Sequence, residues 1–121
     1  MVGRFPLYTD ADVQGHLVDA LGAAGWDVVR GIDRFPEGTS DTAHFEEAAR
    51  LGRVLVSNDE DQFEIAIQWL ACGRPFTGFV TWRQAHYTRA SVGDFLRAFE
   101  ALAARDDPFG NYPVVHLSRI V

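Results

Sequence analysis

Gly52-Arg53-Val54-Leu55-Val56-Ser57-Asn58-Asp59-Glu60-Asp61 is the stretch on which the fold turns. Val54 to Val56 is a short, unbroken apolar run, the form a strand takes when both faces of a parallel sheet are covered. Before it, Phe45, Ala48, Ala49 and Leu51 recur at helical spacing, and Gly52 stops that helix. After it, polar residues lead into a second helical pattern, Phe63, Ala66, Ile67 and Leu70, ended by Gly73 and Pro75. A buried strand between two helices is the unit from which a doubly covered parallel sheet is built.

The same alternation extends in both directions. Phe5 to Tyr8 reads as a first strand with Pro6 at its first residue, because proline cannot donate to a ladder. Val13, Leu17, Ala20, Leu21 and Ala24 give a first helix that stops at Gly25, and Trp26 to Arg30 is apolar and β-branched. Residues 31–40, with Pro36, Gly38, Thr39 and Ser40, read as a loop. Phe76 to Trp82 is a fourth strand, and Val92, Phe95, Leu96, Phe99, Leu102 and Ala103 form the cleanest amphipathic helix. Phe95 and Phe99 read as core or as a dimer face. Val114 to Leu117 closes the chain as a fifth strand. The expected fold is a three-layer α/β/α sandwich with a mainly parallel sheet of four to five strands in a single domain, 1–121. Ligands of such folds sit outside the carboxyl ends of the strands, where strand order reverses.

Composition narrows the chemistry. The chain has 121 residues, 47% hydrophobic and 23% charged, which suits one globular domain with its own core. No stretch approaches the roughly 18 apolar residues of a membrane span, and the start lacks a signal peptide's apolar core, so a cytoplasmic location is expected. The lone Cys72 reads as a small apolar filler. Net charge is −6, with twelve acids against five arginines in residues 1–61 and five acids against six arginines in 62–121. That is not the basic profile of a duplex binder. All eleven basic residues are arginine, which excludes mechanisms that need a lysine, such as a phosphate-binding loop or a Schiff base.

The acids are clustered at expected turns. Asp10 and Asp12 follow the first strand, Asp41 opens the second helix, and Asp59 and Asp61 follow the third strand. Capping explains some of them: one of Asp10 and Asp12 is expected to cap the first helix, and Asp59 with Gln62 has the spacing of a capping box. Asp41 alone would be a cap or a first-turn acid favoured by the helix dipole. Capping does not require so many carboxylates. Crowded carboxylates repel one another and call for a divalent cation. Mg²⁺ or Mn²⁺ takes oxygen ligands, acidifies a bound water and stabilises charge on phosphate oxygens; two ions about 3.5–4 Å apart would clamp both attacking and leaving oxygens. The expected metal set is Asp10, Asp12, Asp41, Asp59 and Asp61, with Glu46 or Glu47 as alternative third acids.

These residues resemble a known family. Asp10-Ala11-Asp12-Val13, Leu17-Val18, Gly25-Trp26-Asp27-Val28, Asp41 opening a helix with Ala48 and Ala49, and Gly52 to Asp61 are together similar to the PIN-like proteins of bacteria, small relatives of PIN-domain ribonucleases and VapC-type toxins. The resemblance covers about residues 4–82 and leaves a strand–helix–strand extension at about 83–121. It implies an α/β/α sandwich, an acidic Mg²⁺ or Mn²⁺ site, endoribonuclease activity on RNA phosphodiesters and an antitoxin protein as partner. Asp10 matches the first acid of the site, Asp41 the acid at the start of the second helix, and Asp59 and Asp61 the acids after the third strand; these four are the implied catalytic residues. Asp12 matches an acid common in this branch. Gln62 stands where an apolar residue is usual, and Gln14 where proline is common.

Trp82-Arg83-Gln84-Ala85-His86-Tyr87-Thr88-Arg89 interleaves basic and aromatic side chains, the mixture that grips single-stranded RNA. Arg83, His86, Tyr87 and Arg89 are therefore candidate nucleic-acid contacts, although an exposed loop is the plainer reading. Two other functions fit parts of the pattern. A haloacid-dehalogenase-type phosphatase would use Asp10 as nucleophile and Asp12 as general acid, but lacks its lysine here. A catalytically idle PIN-like module would bind a partner protein through the same fold.

Overall fold

The computed structural model describes residues 4–83, 91–110 and 112–117. The elements run β1 (Leu7–Thr9), α1 (Gly15–Ala23), β2 (Val28–Arg30), α2 (Gly31–Arg34), α3 (Asp41–Arg50), β3 (Val54–Val56), α4 (Glu60–Cys72), β4 (Gly78–Trp82), α5 (Val92–Ala103) and β5 (Val114–Leu117). The five strands form one sheet in the order β2-β1-β3-β4-β5, and every neighbouring pair is parallel. The α/β class, the parallel sheet and the alternation match the expectation from sequence.

Period-two alternation sorts the strand side chains into two cores. Leu7, Val54, Val56, Val80 and Trp82 face one side, where Leu17, Val18 and Leu21 of α1 and Phe95, Phe99 and Leu102 of α5 cover them. Tyr8, Leu55, Phe79 and Val114 face the other, covered by Phe45 and Ala48 of α3 and by Ala66 and Trp69 of α4. Phe95 and Phe99 are thus core. The segment beyond residue 83 is not an appendage, because α5 supplies half of one helical layer and β5 pairs with β4 along Phe79–Trp82.

Four local departures have physical reasons. β1 starts at Leu7, and Pro6 stays outside it with its carbonyl accepting the Val54 amide at 2.9 Å. β4 starts at Gly78, since Phe76 turns out of the ladder to pack edge-on against Phe45 and Trp69. A short helix, α2, occupies the first part of the expected loop. It begins at Gly31, where a Cβ would lie 2.8 Å from His44 Nδ1 and 3.2 Å from the Thr9 carbonyl. Cys72 is exposed at the last residue of α4, so it fills no core space.

The decapeptide 52–61 folds as it reads. Gly52 takes a left-handed φ of 68° and ends α3, as helix-stopping glycines do. Arg53 then stitches the amino ends of the sheet, donating to the Leu7 carbonyl at 3.1 Å and to Asp27 Oδ1 at 3.0 Å. Strand order reverses between β1 and β3, since the chain leaves β1 towards β2 and returns to β3 on the other side. The ladder continues past both carboxyl ends: the Asp10 amide donates to the Val56 carbonyl at 3.0 Å and the Ser57 amide to the Val80 carbonyl at 3.1 Å. Asp10 and Ser57 are therefore fixed side by side at the switch point.

Candidate metal centre

Oxygens of Asp10, Asp41 and Asp59 lie within 4.8 Å of one another. Each comes from a different place in the chain. Asp10 follows β1 and is 5% exposed; its carboxylate accepts from the Ala11 amide at 2.9 Å and from Ser57 Oγ at 3.2 Å. Asp41 is the first residue of α3, and Ser40 caps that helix by accepting from the Ala43 amide. Asp59 caps α4 by accepting from the Asp61 amide at 2.9 Å. A carboxylate offers about four lone-pair sites, so capping leaves capacity for a cation.

The other acids take different roles. Asp12 is outside this trio; its carboxylate turns onto Ser57 Oγ at 3.2 Å and the Asn58 amide at 2.9 Å. Asp61 is also outside the trio and exposed in the first turn of α4. Neither Asp10 nor Asp12 caps α1, whose N-cap is Gln14 without a side-chain capping hydrogen bond, because both carboxylates are engaged at Ala11, Ser57 and Asn58. The expected capping box at Asp59 is absent too: Gln62 reaches sideways, not back. Glu46 and Glu47, the alternative metal acids, pair with arginines instead, Glu46 with Arg74 at 3.8 Å and Glu47 with Arg34 and Arg50. Among the described residues, no arginine forms an ion pair with any of the five aspartates.

Electrostatics record that lack of partners. The Asp12 carboxyl is pushed up to about 6, chiefly by desolvation and then by the Asp10 charge. Asp41 is raised by desolvation and by the charges of Asp59, Asp10 and Asp61. In both, neighbouring carboxylates add to the desolvation, and that part of the shift is what a cation relieves.

Three residues of the site escape a linear reading. Ser57, fully buried, has one hydroxyl proton facing two carboxylates, Asp10 and Asp12, and also accepts the Asp59 amide at 3.1 Å. Its place straight after an apolar triplet was the only available signal. His44 is buried, with Nδ1 at 2.8 Å from the Tyr8 hydroxyl and its ring edge-on to Phe35. Burial and the Glu47 charge push the Tyr8 hydroxyl up to about 12, so it keeps its proton and can pin the imidazole. Gln62 is fully buried; its Nε2 donates to the Asp41 carbonyl at 3.0 Å, tying the first turn of α4 to the start of α3. Its Oε1 has no hydrogen-bond partner among the described residues.

Asp10, Asp12, Asp41, Asp59 and His44 line a cleft of 340 Å³ whose other wall includes Ile32, Phe35 and Pro36. The trio suits Mg²⁺ or Mn²⁺: the donors are hard oxygens, and ligands on opposite sides of such an ion stand about 4.2 Å apart at bonds of about 2.1 Å. Of the expected nucleic-acid contacts, Arg83 is exposed at the end of β4, while His86, Tyr87 and Arg89 lie outside the described residues. Trp82, the last residue of β4, is 3% exposed and packs edge-on against Phe95 at 5.2 Å. No protein-family model, characterised protein or solved structure matches this chain. Among the described residues no helix is long and apolar enough to cross a membrane.

Proposed function

We propose that this protein is a Mg²⁺- or Mn²⁺-dependent ribonuclease that hydrolyses RNA phosphodiesters in the acidic cleft. One observation carries the reading: Asp10, Asp41 and Asp59 bring carboxylate oxygens together, without arginine partners among the described residues, at the point where strand order reverses. The resemblance of Gly52 to Asp61 to PIN-like proteins supports the same chemistry and extends it to a cytoplasmic toxin held by an antitoxin protein. A cation bound there supplies positive charge against the phosphate oxygens and acidifies water.

The chain's own residues do the rest. Asp10, Asp41 and Asp59 hold the cation. Ser57 holds Asp10 through its hydroxyl and the Asp59 backbone through its oxygen, so both acids keep one geometry. Asp12 lines the same cleft and, with a pKa near 6, can accept a proton at neutral pH. Gln62 sets the separation of α3 and α4 and thereby of Asp41 and Asp59.

The test is RNA cleavage by purified protein with Mg²⁺, Mn²⁺ or chelator, wild type against Asp10→Asn. Cleavage is expected to need the metal and to fall about 100-fold or more in the variant. Mn²⁺ is expected to raise the melting temperature of the wild type only. Hydrolysis that persists in chelator and in Asp10→Asn would defeat the mechanism. Mn²⁺ stabilisation without hydrolysis would favour the idle, partner-binding module.

A further inference from the structure

A second cleft, of 320 Å³, shares a wall with the acidic one. Asp59 lines both. Asn58 and Glu60 stand beside Asp59 on the second wall, and the rest of it is different in kind: Phe63 from α4, Thr81 and Trp82 from the end of β4, Arg83 just beyond it and His116 on β5. Its volume is at the small end of ligand pockets, which begin at about 300 Å³.

Its rings are arranged to receive another. Phe63 and His116 meet with centroids 5.3 Å apart at 68°. An edge-on pair uses at most one face of one ring, and His116 is exposed, so its imidazole keeps a face for a third ring. Arg83, exposed on the same wall, supplies a planar cation that can lie on a base or meet a phosphate. The sheet sets this spacing, since Thr81 and His116 are register partners in β4 and β5.

We propose that this second cleft is a nucleobase subsite, which takes one unpaired base of an RNA strand whose neighbouring phosphate lies at Asp59. This rests on the ribonuclease reading of the acidic cleft and adds its substrate class: single strands, because a base held in a duplex is stacked on both faces and cannot enter.

The experiment is fluorescence anisotropy in chelator, where no cleavage is needed, with a labelled uridine hexamer, the same hexamer made abasic, and a blunt RNA duplex. The wild type is expected to bind the uridine hexamer on the order of tenfold more tightly than the abasic one, and the duplex no better than the abasic strand. His116→Ala is expected to erase most of that preference, and His116→Phe, which keeps a stacking face, to retain it. Circular dichroism melts of each variant separate loss of the base contact from loss of the fold. A wild type that binds both hexamers alike, or a preference untouched in His116→Ala, overturns the subsite. Metal-dependent cleavage in the parallel assay distinguishes the outcomes: cleavage without base preference removes the subsite alone, and base preference without cleavage removes the ribonuclease reading alone.

Discussion

Glu47 and Asp41 stand on the same helix, α3, six residues apart. Glu47 is clamped by Arg34 and Arg50, and its carboxyl is held down to about 2, first by the Arg50 hydrogen bond and then by that of Arg34. Asp41 faces other carboxylates and is shifted the opposite way. The same functional group is thus structural in one place and poised for a cation in the other. The arginines decide which: Glu47, Asp27 and Glu100 each have one within hydrogen-bonding reach, whereas the cleft acids have none among the described residues.

Four experiments test this contrast. The largest effect on stability is expected from Glu47→Gln, which weakens two guanidinium contacts at once. It should cost about 1–2 kcal/mol in a urea melt, the figure discounted because Arg50 is mostly exposed. Asp10→Asn should move the other way. In chelator it removes one charge from the crowd and should raise the melting temperature by about 4 °C, the equivalent of about 1 kcal/mol, while losing the Mn²⁺ stabilisation. An unchanged or lower melting temperature in chelator would mean that the acids do not repel as inferred.

The two regions should also separate in pH. Asp12 binds its proton more tightly folded than unfolded, so its contribution is full below its ordinary value of 3.8 and is lost as pH rises through about 6. Glu47 is the reverse: its contribution is present above the ordinary 4.5 and is lost as pH falls towards about 2. Melts in chelator from pH 3 to 8 should show Asp12→Asn flattening the decline above pH 4 and Glu47→Gln flattening the acid side. Mn²⁺ should stabilise more at pH 8 than at pH 4, because Asp41, whose carboxyl is raised, must give up its proton to hold the cation. The smallest effect on stability is expected from Gln62→Met. It removes a buried carbonyl that has no partner together with one hydrogen bond, a net change of about 1 kcal/mol or less, yet it unties α3 from α4. Mn²⁺ affinity should fall about tenfold, read as a smaller melting shift at fixed metal.

Most of the frame was legible along the chain. β3 and β5 fall on the residues expected of them, because an apolar triplet bounded by Gly52 and Ser57, or a run after Pro113, has only local causes. Asp10, Asp41 and Asp59 were among the five acids expected at the site, since five carboxylates at three turns exceed what capping needs, but which three meet was not legible. The short helix α2 was not, because Gly31 is there to clear His44 and the Thr9 carbonyl, contacts that no local window contains. Gln62 read as half of a capping box and became a buried tie between helices. Trp82 read as the end of a strand, but that it is core was decided by β5 and α5, which close over the end of β4.

Residue order alone determined that strands and helices alternate, that lysine chemistry is excluded and that carboxylates gather at turns. Such properties depend on neighbours a few positions away, within reach of a helical or extended period. Which carboxylates meet was left to the packed sheet. β1 lies against β3 and not β4, so Asp10 stands beside Ser57 and near Asp59, while Glu47 turns to its arginines. Side chains tens of residues apart acquire a common distance only after the sheet has chosen its strand order.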